Sequence, residues 1–233
     1  MLLSVENLVT GYGRKQVVNG VSFDVTKGEI VALIGHNGAG KSTILKAILK
    51  ILPIWKGNIY FDGQTLALTR QCDLVRSGIA YVPQGNRVFG GLTVRENLEI
   101  AGTSLNTKVA IQKIDLTLDL FPVLATKIRQ RASTLSGGEA QMLSVANALI
   151  PKPRILILDE PSLGLAPPLV SKTLNLIQKI CKESGTAALI VEQKVREVLK
   201  IAERVCVLRA GQVTYFGLAS TLDNEEKLRE AYL

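Results

Sequence analysis

The stretch GEIVALIGHNGAGKST, residues 28–43, decides the fold. Its first half, GEIVALIG (28–35), reads as a short apolar strand running into a glycine-rich loop. Its second half fits G-x-x-x-x-G-K-[ST] through Gly35, Gly40, Lys41 and Ser42. The residue types suit the holding of phosphate. Successive backbone N–H groups along Gly35, His36, Asn37, Gly38, Ala39, Gly40, Lys41, Ser42 and Thr43 must turn inward around oxygens, and glycine permits both the turn and the close approach. STILKAILKIL (42–52) follows as a helix whose positive N-terminal end faces the same oxygens. Lys41 offers a compact charge to the outer phosphates, and the Ser42 hydroxyl can ligate Mg2+. A chance glycine turn would lack this strand before it and helix after it. The loop is therefore expected to hold a nucleoside triphosphate. His36, the only histidine in the chain, occupies a variable position of the pattern. Nothing near it in sequence orients its ring or uses its proton, so a solvent-facing side chain is expected.

Outward from the loop, short strands alternate with helices, as in an α/β fold. GNIYFDG (57–63) is a strand between turn residues. PRILILDEP (153–161) carries four consecutive apolar residues, 155–158, as a central strand buried on both faces would. LVSKTLNLIQKICKES (169–184) repeats Leu169, Thr173, Ile177 and Cys181 at helical spacing, behind Pro167 and Pro168 and ahead of Gly185. Cys181 is thus read as a core residue. TAALIVEQ (186–193) and RVCVLRAGQVTYFG (204–217) read as further strands, the second a hairpin about Gly211. The alternation breaks near 95–139, where VRENLEIAG (94–102) and VAIQKIDLTLDLFPVLATKI (109–128) read as helices with no strand between them. A helical insert within one α/β domain spanning 1–233 fits this better than a second independent domain.

The chain of 233 residues, 47% hydrophobic, is long enough for one sizeable core. Its apolar runs fall far short of the roughly 20 residues that span a bilayer. MLLSVENL (1–8) has neither a basic start nor a long apolar stretch, so no secretory signal is expected. Cys72, Cys181 and Cys206 have no metal-ligand or redox spacing and are read as reduced structural thiols. The net charge of +8 suits a polyanion, but its lysines and arginines are dispersed rather than blocked, which equally fits a solvated basic surface.

Asp159 and Glu160 end the buried strand, where parallel α/β sheets place their ligands. Downstream of a phosphate loop they can divide the work: Asp159 binds Mg2+, directly or through water, and Glu160 polarises the attacking water. TLSGGEAQMLSVANALI (134–150) sets Ser136, Gly137 and Gly138 before a helix with Met142, Leu143, Ala146, Leu149 and Ile150 at apolar positions. A hydroxyl, glycine amides and a helix N-terminus make a second anion site, or a helix cap with no ligand.

LSGGE (135–139), lying between the phosphate loop and LILDEP (156–161), resembles the signature sequence of ATP-binding cassette (ABC) ATPases. Other landmarks stand in order: Tyr12 in GYG (11–13) matches the aromatic residue that stacks on adenine, and Gln84 in YVPQG (81–85) matches the glutamine that senses the γ-phosphate. The resemblance covers nearly the whole chain. It implies a P-loop NTPase (RecA-like) core with a β-rich N-terminal part and a helical subdomain, binding ATP with Mg2+. It adds Gln84 to Ser42 and Asp159 as a metal-side residue, and sets Ser136, Gly137, Gly138 and Glu139 on the γ-phosphate held by Lys41 of a second cassette packed head to tail.

Two positions depart from the family pattern. Gln193 in LIVEQKV (189–195) stands where most cassettes have histidine; it can hydrogen-bond a γ-phosphate oxygen but carries no charge. Ala166 in DEPSLGLAP (159–167) stands where an aspartate usually reaches across the dimer. These departures, with KIRQRASTLSGGE (127–139) and the closing AYL (231–233), resemble the importer ATPases for branched-chain and other neutral amino acids; urea-importer ATPases are similar. A DNA-associated ABC ATPase is the alternative class, but it would usually bring a coiled-coil insertion or zinc-binding cysteines. The resemblance therefore implies membrane-spanning permease subunits, a second ABC ATPase chain (identical or related), a periplasmic substrate-binding protein at one remove, and no nucleic acid. It implies a peripheral position on the cytoplasmic face of the membrane. Val88, Phe89, Leu92 and Val94 are candidate contacts for the permease, or else buried joints of the helical insert.

Overall fold

The computed structural model describes residues 1–85, 87–222 and 225–232. Asn86, in the stretch weighed for docking, and Leu233, the end of AYL, lie outside the described residues. In chain order the elements are β1 (Leu3–Tyr12), β2 (Lys15–Val25), β3 (Ile30–Gly35), α1 (Lys41–Ile48), β4 (Lys56–Phe61), β5 (Gln64–Thr65), α2 (Leu74–Ser77), β6 (Ile79–Val82), α3 (Val94–Ala101), α4 (Thr107–Leu120), α5 (Pro122–Thr126), α6 (Gly137–Leu149), β7 (Ile155–Asp159), α7 (Pro167–Ser184), β8 (Ala187–Val191), α8 (Val195–Leu199), β9 (Arg204–Arg209), β10 (Gln212–Leu218) and α9 (Glu225–Tyr232).

The strands form two sheets. One is four-stranded in the order β2-β1-β4-β5, its neighbouring pairs antiparallel, built from the N-terminal part. The other is six-stranded in the order β10-β9-β3-β8-β7-β6 and parallel from β9 to β6, with β10 turning back antiparallel. The parallel strands are buried on both faces, which explains their unbroken apolar runs. Ala32, Ile34, Leu156, Leu158, Ala188 and Ile190 point into one core, shared with the helices α3 to α8. Val31, Leu33, Ile155, Ile157, Leu189 and Val191 point into the other, shared with α1 and the antiparallel sheet. Both layers leave the loops after β3, β7 and β8 at one edge, the carboxyl ends of the parallel strands.

Local chemistry moved several boundaries. The helix after the phosphate loop stops at Ile48, because Lys50 takes a left-handed φ of 59° and Leu52 precedes Pro53. The helix expected over 109–128 is two, since Pro122 cannot donate to the ladder and buried Phe121 turns the chain between them. Helix α7 begins at Pro167 and ends at Gly185, whose φ of 66° is left-handed. Its buried stripe runs through Val170, Thr173, Leu174, Ile177, Ile180 and Cys181. Leu169, read as part of that stripe, is 36% exposed: it lies one position off the face that meets the sheet. Cys181 and Cys206 are core residues, and burial pushes both thiols up to about 12. Val94 is fully buried, a joint of the helical insert, and Val88 packs half-buried against the core; Phe89 is 56% exposed. Among the described residues no helix is long and apolar enough to cross a membrane.

Candidate active site

The phosphate loop joins β3 to α1. Gly35 has a φ of 150°, and a Cβ there would sit 2.2 Å from the Leu208 carbonyl oxygen, so only glycine lets β3 leave the sheet beside β9. Lys41 opens α1 with its side chain buried under the loop, where its Nζ donates to the carbonyls of Gly35 (2.7 Å) and His36 (3.1 Å). Burial holds the ammonium below the ordinary lysine value, against the opposing pull of Glu160 and Asp159. His36 is exposed, and its carbonyl serves the loop.

Asp159 ends β7 directly across from this helix. Ser42 Oγ donates to its Oδ1 at 3.4 Å, and the Tyr81 hydroxyl donates to its Oδ2 at 3.3 Å. Burial, and then the Glu160 charge, raise the Asp159 carboxyl above its usual range. Tyr81, from β6, is pushed up to about 12 by burial and by Asp159, and so remains a donor. Ser42 and Asp159 present hard oxygens side by side, the donor type Mg2+ takes together with phosphate oxygens and water. Gln84, expected on the metal side, instead donates its Nε2 to Glu160 Oε2 at 2.9 Å.

Glu160 follows with a φ of 50°, left-handed backbone that a non-glycine residue adopts at a cost of order 1–3 kcal/mol. Its N–H donates to Val191 O (2.9 Å), and its carboxylate is held from both sides. Gln193 Nε2 donates to Oε1 at 2.6 Å, opposite the Gln84 amide on Oε2. Glu160 is only 8% exposed, and each of its carboxylate oxygens accepts from one glutamine amide.

Tyr12, at the end of β1, is 44% exposed and lies 5.3 Å, ring centroid to Nζ, from Lys46 of α1, which also donates to its hydroxyl (3.1 Å). Burial works to raise this phenol, but hydrogen bonds with Lys46 and Thr43, together with the Lys46 charge, outweigh it and hold the phenol below the ordinary tyrosine value. Tyr12, Asn37, Lys41, Thr43, Glu160 and Gln193 line one open cleft of about 480 Å³. Residues from four separate stretches of chain thus meet in a space lined by both a flat ring and a carboxylate.

The second glycine motif stands apart. Ser136 caps α6 reciprocally: its Oγ accepts from the Glu139 N–H at 3.4 Å, and its own N–H donates to Glu139 Oε2 at 2.9 Å. Lys127 bridges Glu139 at 2.7 Å and, with the Ser136 N–H, draws its carboxyl below the usual range. Ser136 and Gly137 are exposed and Gly138 is buried. Among the described residues, the lining of the cleft includes none of Ser136, Gly137, Gly138 or Glu139. Sequence reasoning missed Tyr81, Lys46, Lys127 and Glu192. Their partners lie 78, 34, 12 and 30 residues away, so no local spacing carried the signal.

Comparison with known proteins agrees with this geometry. Residues 18–163 match the family model described as ABC transporter. The chain is 41% identical over 232 residues to the high-affinity branched-chain amino acid transport ATP-binding protein BraG of Pseudomonas aeruginosa, covering 100% of this chain and 99% of that one. It is 36% identical to the probable branched-chain amino acid transport ATP-binding protein LivF of Archaeoglobus fulgidus, covering 98% and 97%. It is 34% identical to the lipopolysaccharide export system ATP-binding protein LptB of Haemophilus influenzae, covering 100% and 97%. Among solved structures, cbiO1 of Clostridium perfringens, part of an ABC transporter complex, superposes with a TM-score of 0.88 at 26% identity, covering 97% of this chain and 92% of that one. With its fold, its nucleotide-loop cleft and a full-length likeness to transport ATPases, the chain belongs to the ABC transporter family, as an ATP-hydrolysing cassette.

Proposed function

We propose that this cassette powers membrane uptake of branched-chain or other neutral amino acids. The observation that carries the chemistry is the Glu160 carboxylate, buried at the end of β7 beside the phosphate loop and gripped by two glutamine amides. The cargo rests on the likeness to BraG and LivF across almost the whole chain.

In this reading adenine stacks on Tyr12, and the loop from Gly35 to Thr43 wraps the phosphates. Lys41 turns its Nζ from the loop carbonyls to the outer phosphates. Ser42, Asp159 and Gln84 would hold Mg2+, which when bound would supply positive charge to offset that of the phosphates. Tyr81 keeps Asp159 oriented. Glu160 polarises the attacking water once the Gln84 and Gln193 amides release its oxygens, and Gln193 then hydrogen-bonds the γ-phosphate. Ser136, Gly137, Gly138 and Glu139 cap the γ-phosphate of a second cassette. Their place outside their own cleft supports that division of labour.

The whole of 1–233 serves as one ATPase domain, with the helices from about 95 to 139 as its helical subdomain. Membrane-spanning permease subunits dock near exposed Phe89, a substrate-binding protein delivers cargo from the periplasmic side, and the cassette sits peripherally on the cytoplasmic face. The test is uptake of labelled neutral amino acids and urea by cells whose sole copy carries Glu160→Gln. Selective loss of neutral amino-acid uptake is expected. Loss of urea uptake alone would move the cargo, and full uptake with a dead ATPase would overturn the assignment.

A further inference from the structure

Strands β7 and β8 stay in register up to Asp159 opposite Val191, and the last backbone bond between them is Glu160 N–H to Val191 O. Beyond it the chains separate, yet Glu160 and Gln193 must keep side chains in contact at 2.6 Å. A side chain takes over where the ladder ends. Glu192 is 1% exposed, and its carboxylate is shared between the two departing segments. Its Oε1 accepts from Ser162 N–H at 2.9 Å; its Oε2 accepts from Gln193 N–H at 3.1 Å and Lys194 N–H at 3.4 Å. Lys194 returns the connection, its Nζ donating to the carbonyls of Ser162 and Leu165, each at 3.3 Å.

A buried carboxylate that accepts from three backbone N–H groups is an expensive device for simply closing a loop. Any polar side chain could satisfy one of those donors. Two carboxylate oxygens are needed to serve both segments at once, because a neutral amide offers only one acceptor and would set its NH2 against the other N–H. The segments joined in this way are the one that leaves Glu160 and the one that carries Gln193. The first runs on through Leu165 to Ala166, the position where the family's cross-dimer aspartate is missing.

We infer that Glu192 is a positioning residue for ATP hydrolysis: it fixes the Gln193 amide on the Glu160 carboxylate and makes segment 162–165 move with that pair. The inference rests on the proposed role of Glu160. Glu192 does not line the phosphate-loop cleft; it acts through Gln193.

Glu192→Gln tests this, being isosteric. It should lower kcat about tenfold while KM for ATP changes by less than about twofold, because the groups that bind ground-state ATP stay in place. The distinguishing readout is non-additivity with Gln193→His, which keeps a donor at position 193 on a different side chain. If Glu192 works through the Gln193 amide, Glu192→Gln should cost Gln193→His much less than it costs the parent. An equal cost in both backgrounds, a parallel rise in KM, or unchanged kcat would overturn the inference. Should Glu192→Gln fail to fold, Lys194→Met severs the return arm from a half-buried surface position and should shift kcat in the same direction with KM unchanged; no change there overturns it likewise. Glu160→Gln run alongside separates the two readings. If that control turns over normally, the role of Glu160 falls; if it is inactive while Glu192→Gln is normal, only the positioning role falls.

Discussion

Position 193 shows how one side chain sets a pH profile. Its amide donates to Glu160 and does not titrate, so nothing at this position should bend the rate through neutral pH. Gln193→His would place an imidazole against that carboxylate. The neighbouring negative charge favours the protonated ring and moves its pKa above the ordinary value of about 6.5. The variant's kcat should therefore gain an inflection above pH ~6.5, falling as the ring loses the charge it can offer a γ-phosphate oxygen, where the parent protein shows none. Steady-state ATPase rates from pH 5.5 to 8.5 would check this. A flat profile in the variant would remove residue 193 from the reacting groups. At this scale the sequence was informative wherever position is local: that the loop from Gly35 to Thr43 and the pair Asp159–Glu160 sit together at the ends of parallel strands was legible. It was silent on Tyr81 and Glu192, because each acquires its role only when strands distant in the chain become neighbours.

Helix α6 separates stability from function. The Ser136 cap bond is long at 3.4 Å, while the return bond from Ser136 N–H to Glu139, at 2.9 Å, does not need the hydroxyl. Ser136→Ala should therefore cost less than the ~1 kcal/mol usual for an N-cap, lowering Tm by no more than about 4 °C. Monomer affinity for ATP should hold, since Ser136 does not line its own cleft. Turnover should fall about tenfold or more, because the hydroxyl would lose a charge-assisted bond to the partner's γ-phosphate. Calorimetric melting, nucleotide titration and ATPase assay on one preparation would check all three. Equal turnover in variant and parent would return the motif to a simple cap. Element boundaries were less legible than elements. Pro122 visibly interrupts 109–128, but whether a proline kinks one helix or divides two depends on Phe121 finding a place in the core. The exposure of Leu169 was hidden for the same reason, as helical spacing names a face without saying which residue at its edge meets the sheet.

For the whole molecule, the Ser136–Glu139 motif does not line the chain's own phosphate-loop cleft, and on the proposed reading activity belongs to a pair. Each chain carries a formal charge of +8, and two such chains repel at the ionic strengths where the Debye length is about 8–10 Å. In the proposed pair, nucleotides between the chains would supply negative charge at the interface and phosphate oxygens for Ser136 and its neighbours to meet. Closure should thus require ATP bound and unhydrolysed. Glu160→Gln is nearly isosteric, removes the charge proposed to polarise water, and should accumulate that state. Sedimentation velocity should find Glu160→Gln monomeric without nucleotide or with ADP and dimeric with ATP. The parent protein should return to monomer as ATP is consumed. Moving the population from about 1:99 to 99:1 needs a roughly 10⁴-fold preference of ATP for the closed pair, which two sandwiched nucleotides can share. Adding Ser136→Ala to Glu160→Gln should weaken the dimer without loosening ATP from the monomer, because the two substitutions act on opposite faces of one nucleotide. If the double variant dimerised as tightly as Glu160→Gln alone, α6 would not be meeting the partner's phosphate, and the head-to-tail arrangement would have to be abandoned.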